Sequence, residues 1–475
     1  MSRVVMFVLN DCRTDARVLR EAATLAAAGH VVTVVARTTD PYAARGDEES
    51  RDGFRIVRVP VAAGILRWLL LGRRPRTALR EAVAAFGAAL RRPPRGWIAA
   101  AGAVLVAILL AVPAALAAAA LLVLQRLTRT LRPLRTAWSG LEWRLQWRFG
   151  VMPWTAAAVA AAPAGDVFHA HDMRALPAAV AARARERGVV VYDSHEIFVE
   201  AGANAKRPAW AKRGLRRRER CLSQGAAALV TVNDELAANL GRVLGIRRVV
   251  VVRNCPPRWT PPAAGLQLLR AATGVGADEP VVLYHGALAP HRGIEQLAAA
   301  LREPDLDGVH LVVLGMGPMR GMVAAMASDP TFGGRLHLVD AVPPFELPAW
   351  IAGADVGAMP IQPSTLNHRL STPNKLFECL GAGVPVVTSD FAAMRGIVMG
   401  DPDGPLGAVC DPADPRAIAA AIRGVLALAP AARADLRARC LRAAHARYAW
   451  EQDAAVLLAL YASFENPGAK VAAAG

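Results

Sequence analysis

Paired cysteines are missing from this chain. Its six (Cys12, Cys221, Cys255, Cys379, Cys410, Cys440) stand singly, with no C-x-x-C and no His at ligand spacing. That excludes a disulfide scaffold or a zinc ribbon and reads as reduced thiols in a cytosolic compartment. No signal peptide is expected either: "MSRVVMFVLN" runs straight into an apolar stretch of strand length, without a separate n-region or cleavage site, and reads as a first strand. Disorder is excluded by 20% charged and 54% hydrophobic residues, and 475 residues suffice for two or three domains.

Acidic residues are nearly absent between Val61 and Gly150, which hold fourteen Arg and two acids, so that +12 of the formal +17 lies in this segment. The basic residues surround an apolar run instead of an exposed groove with stacking aromatics, which argues against nucleic-acid binding. From Trp97 to Gln125 there is no charge at all. A straight helix of that length is roughly 43 Å long, against a hydrocarbon core of ~30 Å. Both flanks, "RRPPR" and "RLTRTLRPLR", are basic, and if the strands on either side of the run share one sheet the number of crossings must be even, so a single crossing is disfavoured. Pro113 divides the run into two arms, each too short to span. The expectation is a re-entrant hairpin kinked at Pro113, dipping into one leaflet with Arg and Trp (Trp68, Trp97, Trp138, Trp143, Trp147) at the interface. A helical hairpin covering the sheet, or a dimer interface, is the alternative.

Outside residues 61–150 the chain alternates strand and helix. The first half reads "VVMFVL", "ARVLREAATLAAAG", "HVVTVVAR" and "RIVRVPV", then "DVFHAH", a helix over 175–187, "VVVYDSH", a helix around 207–224, "ALVTVN" and "RVVVVRN". The Pro-rich joint "NCPPRWTPP" leads to a second run: "VVLYHG", a helix over 293–303, "HLVVLG", "RLHLVD", a helix near 345–353, "VGAMPI", "STPNKLFECLGAGVPVV" and "AVCD". Val-rich strands alternating with helices imply two Rossmann-like, doubly wound parallel sheets. Their carboxyl ends would face a cleft, where ligands of such folds bind. Those ends carry Asn10-Asp11, His169, His171-Asp172, Asp193-His195-Glu196, His285-Gly286, Gly315, Gly317, Asp340, Pro360 and Ser389-Asp390.

"STPNKLFECLGAGVPVV" places Lys375 and Glu378 in the first turns of a helix that starts at the cleft. Such an N-terminus presents N–H groups and a positive dipole end to a phosphate, with Ser371 and Thr372 beside it. Glu378, one turn inside, can accept two hydroxyl hydrogen bonds, as a ribose requires.

Together with "DVFHAHD", "VYDSHEIF", "VVLYHGALAPHRGIEQL" and "LVVLGMGP", this stretch resembles the GT-B glycosyltransferases, specifically family 4, also called group 1. The resemblance implies an α/β GT-B fold: an N-terminal acceptor-side domain over 1–260 with the hydrophobic helical insertion 61–150, and a nucleotide-sugar-binding domain over 261–446. A helix over 447–465 would cross back, and 466–475 would be a disordered tail. It implies that Glu378 holds the ribose and that Ser371, Thr372, Asn374 and Lys375 meet the diphosphate. Arg292 would neutralise the leaving group, Gly286 and Gly317 would allow close approach of the backbone, and His171 would contact the transferred sugar. Asp11, Asp172, Asp193, His195 and Glu196 would lie on the acceptor side. A retaining hexosyltransferase without metal or cofactor is implied; the lone Asp-x-Asp, Asp401 and Asp403, stands before a turn and reads as structural.

Two departures stand out. The first Glu of the family's two-glutamate motif is Leu370 here, leaving Asn367, His368 or Arg369 to meet the donor sugar. The usual basic residue after the Gly-rich strand end is also absent, so Arg292 would carry that charge alone or share it with Arg253 or Arg369. "KRPAWAKRGLRRRERC" puts eight basic residues and one acid on a helix beside the acceptor loop, fit for an anionic lipid surface or a lipid diphosphate. The sequence therefore reads as an enzyme moving sugar from a nucleotide donor to a lipid-linked, polyprenyl-type or membrane-proximal glycan acceptor at the cytoplasmic face of the membrane. The alternatives are a non-catalytic membrane scaffold of degenerate GT-B fold and a sugar-nucleotide epimerase.

Overall fold

The computed structural model describes residues 1–38, 46–60, 132–262 and 267–465. The apolar run 97–125, with Pro113, Trp68 and Trp97, and the tail 466–475 lie outside the described residues. The chain divides into two compact units, Met1–Asp193 with Gly202–Ala227, and Ser194–Ala201 with Ala228–Gly475.

In the first unit, strands β1 (Arg3–Phe7), β2 (Val31–Arg37), β3 (Asp47–Arg51), β4 (Phe54–Val59), β5 (Val167–His171) and β6 (Val189–Asp193) run in the order β3-β4-β2-β1-β5-β6. All pairs are parallel except β3 with β4. Val4 to Phe7 are at most 1% exposed, because a parallel sheet covered on both faces asks for continuous apolar strands. β3, "DEESR", was not legible in advance: it carries no apolar signal and forms a charged edge, joined to β4 through Asp52 and Gly53, both at positive φ. The helix Ala16–Ala27 opens on Asp15, whose side chain accepts from the Val18 N–H. It buries Val18, Ala22 and Leu25, and also Arg17 and Glu21.

The helix Arg132–Gln146 continues through a π-helical turn, Trp147–Val151, into Met152–Ala161. It packs beside the basic helix Ala209–Ser223, where the Arg218 guanidinium lies 4.4 Å over the Trp147 ring.

In the second unit, β7 (Ala226–Thr231) pairs in parallel with β8 (Val249–Val251), and the helix Trp450–Glu465 packs on β8. A six-stranded all-parallel sheet follows: β9 (Val281–Ala287), β10 (His310–Met316), β11 (Leu336–Val339), β12 (Val356–Met359), β13 (Val386–Ser389) and β14 (Gly407–Cys410), ordered β11-β10-β9-β12-β13-β14. The winding direction reverses between β9 and β12, so the carboxyl ends of these two strands flank the switch point. The helix Asn374–Gly381 buries Leu376, Phe377, Cys379 and Leu380 against the sheet before the chain enters β13.

Among the described residues no single helix is long and apolar enough to cross a membrane. The segments Pro415–Leu426 and Pro430–Glu465 are long and apolar enough only when taken together, across a 102° bend. Their apolar side chains Ile418, Ile422, Leu436 and Leu457 are buried in the fold.

Candidate active site

At the switch point of the second unit, β9 delivers Tyr284, His285 and Gly286 toward the helix Asn374–Gly381. Lys375 and Glu378 are three residues apart and share a face of that helix. Lys375 Nζ sits 3.6 Å from the centre of the Tyr284 ring, whose hydroxyl donates to Ala287 O at 2.8 Å. Glu378 Oε2 lies 2.8 Å from His285 Nε2. Gly286, at φ +100°, leaves room for Lys375: a Cβ there would touch the lysine side chain at 3.8 Å. Burial pushes the Lys375 ammonium down to about 7, and repulsion from Arg292 adds to it.

Arg292 stands between His291, at φ +65°, and Gly293, at φ +85°. A Cβ on Gly293 would come within 2.1 Å of Pro360 O, so the loop after β9 presses against the end of β12. His368 Nδ1 is 2.8 Å from Ser364 Oγ. Burial, with Arg292 and His291 close by, brings that imidazole down to about 4, so it is neutral at neutral pH. The helix N-terminus at Pro373 has no side-chain cap, so no side chain takes up the backbone donors of this turn.

Thr372 is buried and its Oγ1 accepts from Asn233 Nδ2 at 3.3 Å; the same amide donates to Leu370 O at 2.9 Å. Ser371 Oγ donates to His368 O at 3.4 Å, and Asn374 is exposed. Gly317 lies against Leu288, whose O a Cβ would meet at 2.4 Å. The short helix Leu366–Leu370 was not expected; Thr365 caps it by accepting from the His368 N–H.

That helix corrects one expectation. Asn367 does not present its amide to a sugar: it is 7% exposed, Oδ1 accepts from the Ile197 N–H at 2.9 Å, and Nδ2 faces Glu196 Oε2 at 3.5 Å. Glu196 and His195 are half-buried in the loop that precedes this contact. Arg253 is engaged elsewhere, 3.6 Å from the buried Asp453. Arg369 is exposed.

The first unit holds a second cluster. Arg17 binds both oxygens of Asp193, at 2.8 and 2.9 Å, and its Nε is 3.0 Å from Glu21 Oε1. His169 and His171, two apart on β5 and so on one face, stack with ring centres 4.5 Å apart. His171 Nδ1 is 3.4 Å from Asp193 Oδ2, and His169 Nε2 is 3.9 Å from both Glu21 and Asp193. Sequence reasoning placed Asp193 among groups that meet an acceptor; the structure encloses it, along with Glu21 and His169. Glu21, His169, His171 and Asp193 bring ligand-type atoms within 4.8 Å of one another, yet the Arg17 guanidinium already occupies the cationic position between the two carboxylates. Arg17 and Glu21 were missed because, within an amphipathic helix, charged residues read as its solvent face.

Non-glycine residues that follow strands in both units have strained backbone. Cys12 after β1 and Asp172 after β5 have φ of 53° and 64°, and His291 after β9 has 65°; such values cost about 1–3 kcal/mol each outside glycine. Asp11 accepts from Arg58 Nε at its carbonyl, 2.7 Å, and from the Arg13 N–H at its carboxylate, 3.2 Å. One cavity of the second unit, about 500 Å³, is lined by Arg270, Asp355, Pro385 and Arg437. It lies at the amino ends of the strands, away from these groups.

Residues 279–427 match the family model described as Glycosyl transferases group 1. Over 252 residues, half of this chain and 56% of the relative, the sequence is 32% identical to the D-inositol 3-phosphate glycosyltransferase of Xylanimonas cellulosilytica. Over 176 residues, 36% of this chain and 44% of the relative, it is 32% identical to the GDP-mannose-dependent alpha-(1-6)-phosphatidylinositol monomannoside mannosyltransferase of Mycolicibacterium smegmatis. The fold matches the sucrose-phosphate synthase of Thermosynechococcus elongatus with a TM-score of 0.65 at 18% identity, over 98% of this chain and all of that one. The fold is GT-B, and the homology is to family-4 glycosyltransferases. The chain spans about half the length of the glycosyltransferases it matches in sequence. The family model begins two residues before β9 and ends after β14, so it covers the GT-B unit that carries Tyr284, His285, Arg292, Lys375 and Glu378.

Proposed function

We propose that this protein is a hexosyltransferase that takes a sugar from a nucleotide diphosphate donor and passes it, with retention and without metal, to a lipid-linked or membrane-proximal glycan acceptor at the cytoplasmic face of the membrane. The observation that carries this reading is the set of groups at the β9–β12 switch point. Two basic residues, Arg292 and Lys375, lie close enough to repel each other, beside an uncapped helix N-terminus and a carboxylate one turn in. An anionic ligand relieves that repulsion, and a ribose diol fits the carboxylate. In the transfer the bond from the anomeric carbon to the phosphate oxygen breaks and its electron pair leaves with the nucleoside diphosphate. Arg292, Lys375 and the helix N-terminus face the charge that develops, which is electrostatic stabilisation at the point of need. The anomeric carbon then bonds to an acceptor hydroxyl oxygen on the face that the phosphate leaves, and the hydroxyl proton passes to the departing phosphate oxygen.

The acceptor reading rests on different features. The uncharged run 97–125 feeds into Arg132–Gln146, which packs beside a helix with exposed Arg213, Arg217, Arg220 and Trp210. One matched relative acts on a phosphatidylinositol mannoside, as its name states.

The test is donor binding. Detergent-purified protein is screened with UDP-, GDP-, ADP- and dTDP-sugars by thermal shift beside Glu378→Ala. The expected result is stabilisation by one nucleotide series that is lost in the variant. A folded sample that responds to none of them overturns the donor assignment. Flotation with anionic liposomes, with and without high salt, tests the membrane part: binding that salt releases is surface electrostatics, binding that resists salt is insertion.

A further inference from the structure

We infer that His285 is a positioning residue for the nucleotide: its Nε2–H fixes the carboxylate of Glu378 in the orientation that receives the ribose hydroxyls. The inference rests on the reading of Glu378 as the ribose ligand and assigns a role to a residue that this reading left unused.

His285 is 1% exposed, the fifth residue of β9, and pairs in register with Leu314 of β10. Its backbone is therefore held by the sheet and its ring is enclosed. Glu378 is less enclosed, with 29% of its side chain exposed, and belongs to a helix of only eight residues. A carboxylate on a short helix has three rotatable side-chain bonds, and each retained freedom weakens a bidentate contact. The 2.8 Å contact between Nε2 and Oε2 removes that freedom before a ligand arrives. A hydrogen bond to a charged acceptor is the stronger kind, and it requires the tautomer with hydrogen on Nε2.

A purely structural role and a positioning role differ in one readout. A structural role alters affinity for every ligand of this site equally. A positioning role acts only through the ribose hydroxyls.

The experiment measures, by calorimetry, the affinity of UDP, GDP and ADP and of their 2′,3′-dideoxy counterparts for the full chain, for His285→Leu and for His285→Gln, whose amide restores a donor. The expected result is a roughly tenfold loss of ribonucleotide affinity in His285→Leu, the size of one hydrogen bond to a charged group. The dideoxy ligands should change less than about twofold, and His285→Gln should recover most of the loss. Equal losses for ribo and dideoxy ligands, or no loss in a folded variant, overturn the inference while leaving Glu378 as the ribose ligand. If the unaltered chain binds ribo and dideoxy ligands equally, or binds none of the three, the ribose reading itself falls and takes the inference with it.

Discussion

Arg17 grips both oxygens of Asp193, at 2.8 and 2.9 Å, with 4% of the arginine side chain and none of the aspartate exposed. The same guanidinium reaches the buried Glu21, so one cation serves two carboxylates beneath the stacked His169–His171 pair. His171 takes its place from this group through the 3.4 Å contact of Nδ1 with Asp193.

Removing that cation strands two buried negative charges, which costs more than the ion pair contributes when intact. Arg17→Met is expected to lose about 3–5 kcal/mol of stability. Arg17→Met combined with Glu21→Leu and Asp193→Leu should recover a large part of the loss, because no charge is then left unpaired. Urea unfolding of the three proteins decides it; a single variant with an unchanged midpoint would show that water reaches the cluster.

Glu219 gives a second test in the same unit. Burial raises its carboxyl to about 7, opposed by the 2.7 Å hydrogen bond from Tyr192 and strengthened by the charge of Asp172. Its folded pKa lies above the unfolded value, so between about 4.5 and 7 the folded chain binds the extra proton. This contribution to stability falls as pH rises through that window. Glu219→Gln should match the parent near pH 5 and exceed it at pH 8, by up to about 3 kcal/mol. Thermal melts at the two pH values measure it, and a gain that does not grow with pH would refute the assignment.

Gly293 is expected to resist substitution. Its φ is +85° and a Cβ would sit 2.1 Å from Pro360 O, so neither the backbone nor its neighbour can adjust cheaply. Gly293→Ala should cost about 2 kcal/mol or more and displace Arg292, the preceding residue. Loss of nucleotide-sugar affinity alongside the stability change is the outcome expected in binding and melting assays.

What could be read from the sequence followed from how local each signal is. The Val-rich strands and the helix carrying Lys375 and Glu378 are spelled out in contiguous residues, and both units show them within a few positions of where their patterns place them. The Arg17–Asp193 pair joins residues 176 apart and His285–Glu378 joins residues 93 apart; no periodicity links such positions. Asn367 was misread for the same reason: its amide is consumed by a backbone N–H of Ile197, 170 residues earlier. β3 stayed hidden because an edge strand keeps its charge outward.

Lys375 supplies the prediction that reports most directly on the donor. Its ammonium is held down to about 7 by burial and by Arg292 while it rests on the Tyr284 ring. A bound diphosphate brings negative charge to that spot and pulls the pKa back up, so binding above pH 7 must take up a proton. Below about 7 the lysine is already charged and affinity for a nucleotide sugar should be flat. Above it, affinity should fall by up to about tenfold per pH unit until the pKa of the complex is reached. Lys375→Arg keeps a fixed charge and should bind with no such slope. Calorimetry from pH 6 to 9, in buffers of different ionisation enthalpy, counts the proton directly. A parent protein whose affinity is flat across that range, with no proton taken up, would place Lys375 away from the diphosphate.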